Sequence, residues 1–112
     1  MNRQDIVESF TLMIEKYLAR SIIRIAILLI LRKSSEYGYN IYKTVKEHLY
    51  PRLSLSTLYT ILKDFEEKGL IRRVQDKYEI TNVGMKVIDR LMKQHEQLLS
   101  FISIRLGINF NR

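Results

Sequence analysis

The sequence contains no cysteine among its 112 residues, which excludes disulfide bonds and metal sites built on thiolates. Its two histidines, His48 and His95, are far apart and share no ligand spacing, which argues against a zinc site. Paired carboxylates and a glycine-rich phosphate loop are also missing, and Ser54 and Thr57 have no histidine base or acid placed with them. We therefore expect neither an enzyme nor a protein that binds a metal or another cofactor.

Long apolar runs are missing as well. The longest run, Ile25–Leu31, is far below the roughly 20 residues that are needed to cross a bilayer. The first ten residues contain two acids and no apolar core of signal-peptide length. These absences predict a soluble, cytoplasmic protein with no membrane partner.

What the sequence does have is positive charge. Lysine and arginine number 19 against 12 acids, which gives a formal net charge of +7. Such an excess favours a polyanionic partner, with nucleic acid ahead of an acidic protein or a membrane surface. A hydrophobic fraction of 46% is enough for a core, so the length fits one domain with room for a dimerisation appendage.

The most informative stretch begins with a strongly patterned helix. Ser54 can cap it by accepting a hydrogen bond from a first-turn N–H. Apolar residues then recur at helical spacing, at Leu58, Leu62 and Phe65. Gly69 suits the left-handed position just past a helix end. This pattern predicts a recognition helix at about residues 54–68.

A basic ribbon follows this helix. Residues 71–74 and 78–81 are typical of two short strands, and residues 75–77 join them. A capped helix, a glycine stop and a two-stranded antiparallel ribbon together predict a winged helix-turn-helix, a mainly α fold with a small β-wing. Arg72, Arg73 and Lys77 on the wing place three cations within six positions.

The outward face of the predicted recognition helix is small, polar and basic. Hydroxyls and cations suit a helix that enters the major groove of DNA, although an ordinary solvated helix face can look the same. Cations on the preceding helix and turn are either phosphate contacts or a solvated face, and Tyr39 is either a phosphate contact at a helix N-terminus or part of the core rim. The predicted DNA contacts are Tyr39, Lys43, Arg52, Ser54, Ser56, Thr57, Thr60, Lys63, Arg72, Arg73 and Lys77.

The two ends of the chain are predicted to be helices that lie outside the DNA-binding domain. Residues 1–20 form a packing or dimerisation helix, and a separate core helix begins at Ser21 within the winged helix-turn-helix domain of residues 21–81. Residues 82–112 form a long dimerisation helix, with apolar residues at alternating three-four spacing, and a short tail. The alternative is that the first helix of the same chain covers that surface. The predicted dimer contacts are Phe10, Tyr17, Ile88, Leu91, Met92, His95, Leu98, Leu99, Ile102 and Leu106.

Four ordered segments resemble the PadR-like family of transcriptional regulators. They are ILLIL at 27–31, GYNI at 38–41, STLYTILKDFEEKGLI at 56–71 and YEITNVG at 78–84. The resemblance implies a dimeric DNA-binding regulator whose C-terminal helix makes the dimer, and it matches Tyr39, Tyr59 and Tyr78 to the family's tyrosines. The wing is shorter than is common in the family and the first helix is long. These departures leave open whether the wing enters the minor groove and how the dimer is built.

Together these features predict a homodimeric, sequence-specific regulator of double-stranded DNA that places two recognition helices in successive major grooves. Repression by blocking polymerase is the simplest outcome, with activation or chromatin packing as alternatives. Two other classes remain open. One is a winged helix that binds a protein partner, and the other is a regulator that senses a small apolar effector between its first and last helices.

Overall fold

One long helix, α1 (Arg3–Lys33), runs through the molecule and organises the rest of it. The computed structural model describes residues 2–108 and measures 52 × 30 × 25 Å along its principal axes. The elements that follow α1 are β1 (Glu36–Tyr37), α2 (Gly38–His48), α3 (Leu55–Glu67), β2 (Ile71–Val74), β3 (Lys77–Ile80), α4 (Asn82–Gln94) and α5 (Glu96–Leu106). The predicted fold class, mainly α with a small antiparallel wing, is confirmed.

The first helix differs from the prediction of two helices with a boundary at Ser21. Residues 3–33 form one uninterrupted helix, because they contain neither glycine nor proline and the serine at position 21 is tolerated in a helix interior. Asn2 caps its start, since its side-chain oxygen accepts a hydrogen bond from the Asp5 N–H at 2.8 Å. Arg32 and Lys33 occupy the last turn, where cations favour the helix dipole.

The core lies around the C-terminal half of α1. Ala26 and Ile27 have no exposed surface, and α2, α4, α5 and β3 contact α1. Buried side chains of α3 belong to the same core cluster. The largest fully buried side chains from the rest of the chain are Ile41, Val45, Leu53, Leu58, Leu62, Ile71, Ile88 and Leu99. Burial of these apolar surfaces is the main stabilising contribution to the fold.

The helix-turn-helix consists of α2, the turn at residues 49–54, and α3. Lys46 donates a hydrogen bond to the Pro51 carbonyl oxygen at 2.7 Å, which ties α2 to the turn. The ring of Tyr59 on α3 lies against the backbone of Gly38. A Cβ atom at position 38 would stand 2.8 Å from the Tyr59 hydroxyl oxygen, so any other residue there would require the ring to move.

The sheet has three strands rather than the two predicted, with β3 in the centre. β2 pairs with β3 in antiparallel register, and β1 pairs with the other edge of β3 through Glu36 opposite Tyr78. β1 has only two residues, so it carries no periodicity that the sequence could reveal. Gln75 and Asp76 form the β2–β3 turn with φ of 51° and 69°, the left-handed conformation typical of two-residue hairpin turns.

The C-terminal segment also differs from the prediction, because the helix breaks at His95. His95 has φ −135° and ψ 47°, and the helix continues beyond it as α5, which packs back on α1 and α2. The two helix ends remain hydrogen-bonded at the bend, from His95 N–H to Leu91 O at 2.8 Å and from Leu99 N–H to His95 O at 3.0 Å.

This packing corrects part of the predicted dimer interface. Ile88, Leu99, Ile102 and Leu106 are at most 8% exposed within their own chain, so they are core residues and a second subunit cannot reach them in this conformation. α1 of the same chain covers much of the surface that was assigned to a partner. The predicted tail beyond Ile108 lies outside the described residues.

Candidate nucleic-acid interface

The outward face of α3 is exposed as the sequence predicted. Ser54 accepts a hydrogen bond from the Thr57 N–H at 3.1 Å and donates one to the Thr57 hydroxyl oxygen at 2.8 Å. The Thr60 hydroxyl donates back to the Ser56 carbonyl oxygen at 2.9 Å. Ser54 is thus occupied as a cap, while the Thr57 hydroxyl keeps its own proton free for an outside acceptor. Lys63 is exposed.

Acidic groups near this face are held away from its N-terminal end. Asp64 pairs with Lys68 one turn further on, at 2.7 Å. Glu66 and Glu67 lie in the last turn of α3. The first two turns of α3 contain no acid, so the end that carries Ser56 and Thr57 is left with the positive end of the helix dipole.

The three wing cations have different surroundings. Arg72 pairs with Glu79 directly across the β2–β3 ladder at 2.5 Å, so its charge is largely offset. The Arg73 guanidinium lies 5.6 Å from the centre of the Tyr78 ring, and the Lys77 ammonium lies 5.0 Å from that of Tyr37. Both are cation–π distances, which orient a cation without neutralising it.

Two pKa shifts belong to this wing. The hydrogen bond from the Asn40 side chain to Glu36, at 3.0 Å, lowers the pKa of that carboxyl, and the Tyr37 N–H and the nearby Lys77 charge act in the same direction. Burial raises the pKa of Tyr78. Glu36 therefore stays charged and fixes β1 against the start of α2.

Tyr39 and Lys43 are exposed one turn apart on α2. They line an open groove of about 430 Å³ with Lys46 and Pro51, where Tyr39 packs on Tyr42 with ring centres 5.9 Å apart. Glu47 lines the same groove and weakens its positive charge.

The turn before α3 brings together residues that are distant in sequence. Arg52, Ser54 and Thr57 line a groove of about 220 Å³ with Lys16 and Arg20 of α1. The two α1 cations were not predicted as functional, because no local pattern shows where α1 runs relative to α3. Their four-residue spacing, with no acid three or four residues from either of them, was the available signal.

The remaining predicted dimer contacts lie on the surface or near it. Phe10 and Tyr17 on α1 are 55% and 61% exposed, and Leu98 on α5 is 58% exposed. His95 is exposed at the bend, while Leu91 and Met92 are half-buried. All side chains of residues 3–18 are exposed, so this half of α1 projects from the body.

The described residues contain no group of three or more acidic or histidine side chains that could hold a metal ion. Within residues 2–108, none of the helices is sufficiently long and apolar to cross a bilayer.

Comparisons with known proteins agree with this arrangement. No curated protein matches the chain significantly. The structure is similar to the crystal structure of a PadR family transcription regulator from hypervirulent Clostridium difficile, with a TM-score of 0.58 and 31% sequence identity. That match covers 74% of this chain and 95% of the other. The model of the transcriptional regulator PadR-like family matches residues 27–90, from the buried half of α1 through most of α4. The chain belongs to the PadR-like family of transcriptional regulators.

Proposed function

We propose that this protein is a sequence-specific DNA-binding repressor that acts as a homodimer. The observation that carries the proposal is the exposed face of α3, on which Ser56, Thr57, Thr60 and Lys63 stand clear of the rest of the chain. With α3 in the major groove, Thr57 and Lys63 meet base edges or the adjoining phosphates. Family membership supports DNA as the partner over a protein.

Phosphate contacts come from the cations that border this face. Arg73 and Lys77 on the wing, Lys43 on α2 and Arg52 in the turn are placed to hold the backbone while α3 reads the groove. Arg72 contributes less than the sequence alone suggests, because Glu79 already offsets its charge. Binding therefore weakens steeply as salt rises.

Dimerisation is supported by the projecting half of α1. Ile6, Phe10, Met13 and Tyr17 form an apolar stripe that is unpartnered within the described chain. A stretch of about 16 helical residues is marginally stable alone in water, and an apolar surface of this kind is typical of an interaction site. A second subunit that covers the stripe also gives two recognition helices, which fit half-sites about 34 Å apart.

The experiment that tests this function is a DNA-binding titration with two duplexes, one from upstream of the protein's own gene and one of scrambled sequence. Lys63→Ala should reduce the preference for the upstream duplex by about 1–3 kcal/mol, because it removes a contact to base edges. Lys93→Ala, which removes an exposed lysine in the last turn of α4, is the matched control and should leave the preference intact.

Arg73→Ala combined with Lys77→Ala should weaken binding to both duplexes by the same factor and flatten the salt dependence. Equal affinity of the wild-type protein for both duplexes, or a preference that survives Lys63→Ala and Thr57→Ala together, would contradict the assignment of α3 as the reading helix.

A further inference from the structure

The cationic side of α1 next to the helix-turn-helix is a feature that the proposed function leaves unused. Lys16, Arg20 and Arg24 follow one another at intervals of four residues, so they lie on one side of the helix. No acid occupies the positions three or four residues away from Lys16 or Arg20. Like charges at this spacing destabilise a helix, and no acid at these spacings offsets that effect.

The fold brings this side of α1 to the predicted DNA surface. Lys16 and Arg20 line the 220 Å³ groove together with Arg52, Ser54 and Thr57, three residues of that surface. The Arg24 guanidinium donates a hydrogen bond to the Arg20 carbonyl oxygen at 3.1 Å, so it lies back along the helix toward the same place. The field at the start of α3 is therefore more positive than the helix-turn-helix alone would make it.

Nothing in the described part of the chain neutralises the two cations at this groove. The ion pairs within residues 2–108 are Arg32–Asp89, Lys68–Asp64 and Arg72–Glu79, and none involves Lys16 or Arg20. Glu15 is the nearest acid in sequence, but it lies roughly 100° around the helix from Lys16. Its side chain lines an adjoining, mainly apolar groove of about 330 Å³, which Arg52 also lines.

We infer that α1 itself binds the DNA backbone, with Lys16 and Arg20 on the phosphates that border the groove entered by α3. This inference rests on the proposed function and extends its contact surface. The two cations lie beside the exposed face of α3 and not on it. When α3 lies in the major groove, they therefore meet the flanking strand and not the base edges.

The same contact is compatible with the proposed dimer. At 3.6 residues per turn, Phe10 and Met13 lie at the two edges of the apolar stripe, and Lys16 lies roughly 90° around α1 from its middle. Arg20 lies roughly 50° from the middle, at the border of the stripe next to Met13. A subunit that covers the stripe leaves Lys16 facing outward and Arg20 at the rim of the contact. One helix then joins the partner subunit to the DNA backbone.

The test is a salt series of DNA-binding titrations with the full-length protein and the same two duplexes. Each phosphate contact contributes about 0.9 to the slope of log affinity against log salt concentration. K16A/R20A should lower that slope by about two and weaken binding to both duplexes by an equal factor. K16R/R20K, which keeps both charges, should retain the wild-type slope.

The matched control is K86A/R90A on α4, which removes the same two residue types at the same spacing from another exposed helix face. It should leave the slope close to that of the wild type. An equal fall in both double alanine variants would mean that only net charge matters, and it would overturn the inference. Three other results would overturn it as well. The salt slope of K16A/R20A could equal that of the wild type, or the slope of K16R/R20K could fall as far as that of K16A/R20A. K16A/R20A could also change the preference between the two duplexes.

Failure of the wild-type protein to bind either duplex is a separate outcome, since it would contradict the proposed function before any variant is compared. Circular dichroism of each variant checks that α1 stays helical, so that a loss of folding is not taken for a loss of contact.

Discussion

The two halves of α1 share one continuous backbone and have opposite surroundings. From Ile23 to Leu31 the helix is largely buried, and Ala26 and Ile27 are inaccessible to solvent. From Arg3 to Leu18 every side chain is exposed, although this half also carries many apolar residues. An apolar stripe on a helix thus indicates that another protein surface packs on it. It does not indicate whether that surface belongs to the same chain. Under the proposed function, the buried half of α1 serves folding and the exposed half serves assembly.

The largest expected effect comes from the buried half. Ile27→Ala removes a fully buried side chain and leaves a cavity, so it should lower the free energy of unfolding by about 2–5 kcal/mol. Ile14→Ala, the same change in the exposed half, should alter it by less than about 0.5 kcal/mol in the monomer. Urea unfolding at low protein concentration measures both. Similar losses in the two variants would show that the projecting half is packed on the body.

Substitutions in the apolar stripe of α1 are expected to affect folding little and dimer assembly strongly. Phe10→Asp combined with Tyr17→Asp places two charges where the partner subunit is proposed to lie, and it should weaken the dimer at least thirtyfold, about 2 kcal/mol. Sedimentation over a concentration series measures the change.

The control for assembly is Glu8→Ala, which changes the opposite side of the same helical segment and should leave the dimer unaltered. A double variant that stays dimeric would place the interface elsewhere, for example on the exposed face of α5 with Leu98 and Phe101.

The smallest effect is expected at the caps. Asn2→Ala removes a cap worth about 1 kcal/mol, but the turn that it caps is not packed on the core. Amide exchange in the first turn should speed up while global unfolding stays constant.

Thr81→Ala gives the contrast, because that cap belongs to the packed body. The Thr81 hydroxyl accepts a hydrogen bond from the Gly84 N–H at 3.1 Å and contacts the Gly69 carbonyl oxygen at 2.6 Å. Its loss should lower global stability by about 1–2 kcal/mol. A global loss for Asn2→Ala of the same size would contradict the division of α1 into two halves.

The parts of the fold that could be predicted from the sequence are those fixed by local signals. Ser54 caps α3 as expected, and Gly69 lies just past the C-terminal end of α3 in the left-handed conformation, with φ of 80°. The buried stripe of Leu58, Leu62 and Phe65 is confirmed. These features depend on hydrogen bonds and periodicity within one or two turns, so the bounds of α3 were predicted to within a residue at each end.

The parts that could not be predicted depend on contacts between distant segments. β1 exists because β3 offers a free edge, and two residues alone carry no strand signal. The break at His95 allows α5 to bury Leu99 on its own chain, while the apolar spacing continues through the bend. Likewise, the placement of Lys16 beside Thr57 follows from how α1 crosses the turn.

The contact between Gly38 and Tyr59 bears on how α2 and α3 fit against each other. The end of the Tyr59 side chain on α3 fills the space that a side chain at position 38 of α2 would need. A side chain at position 38 would push the partly exposed Tyr59 ring away from α2. Under the proposed function, such a change would disturb the predicted DNA surface without replacing any of the predicted contact residues.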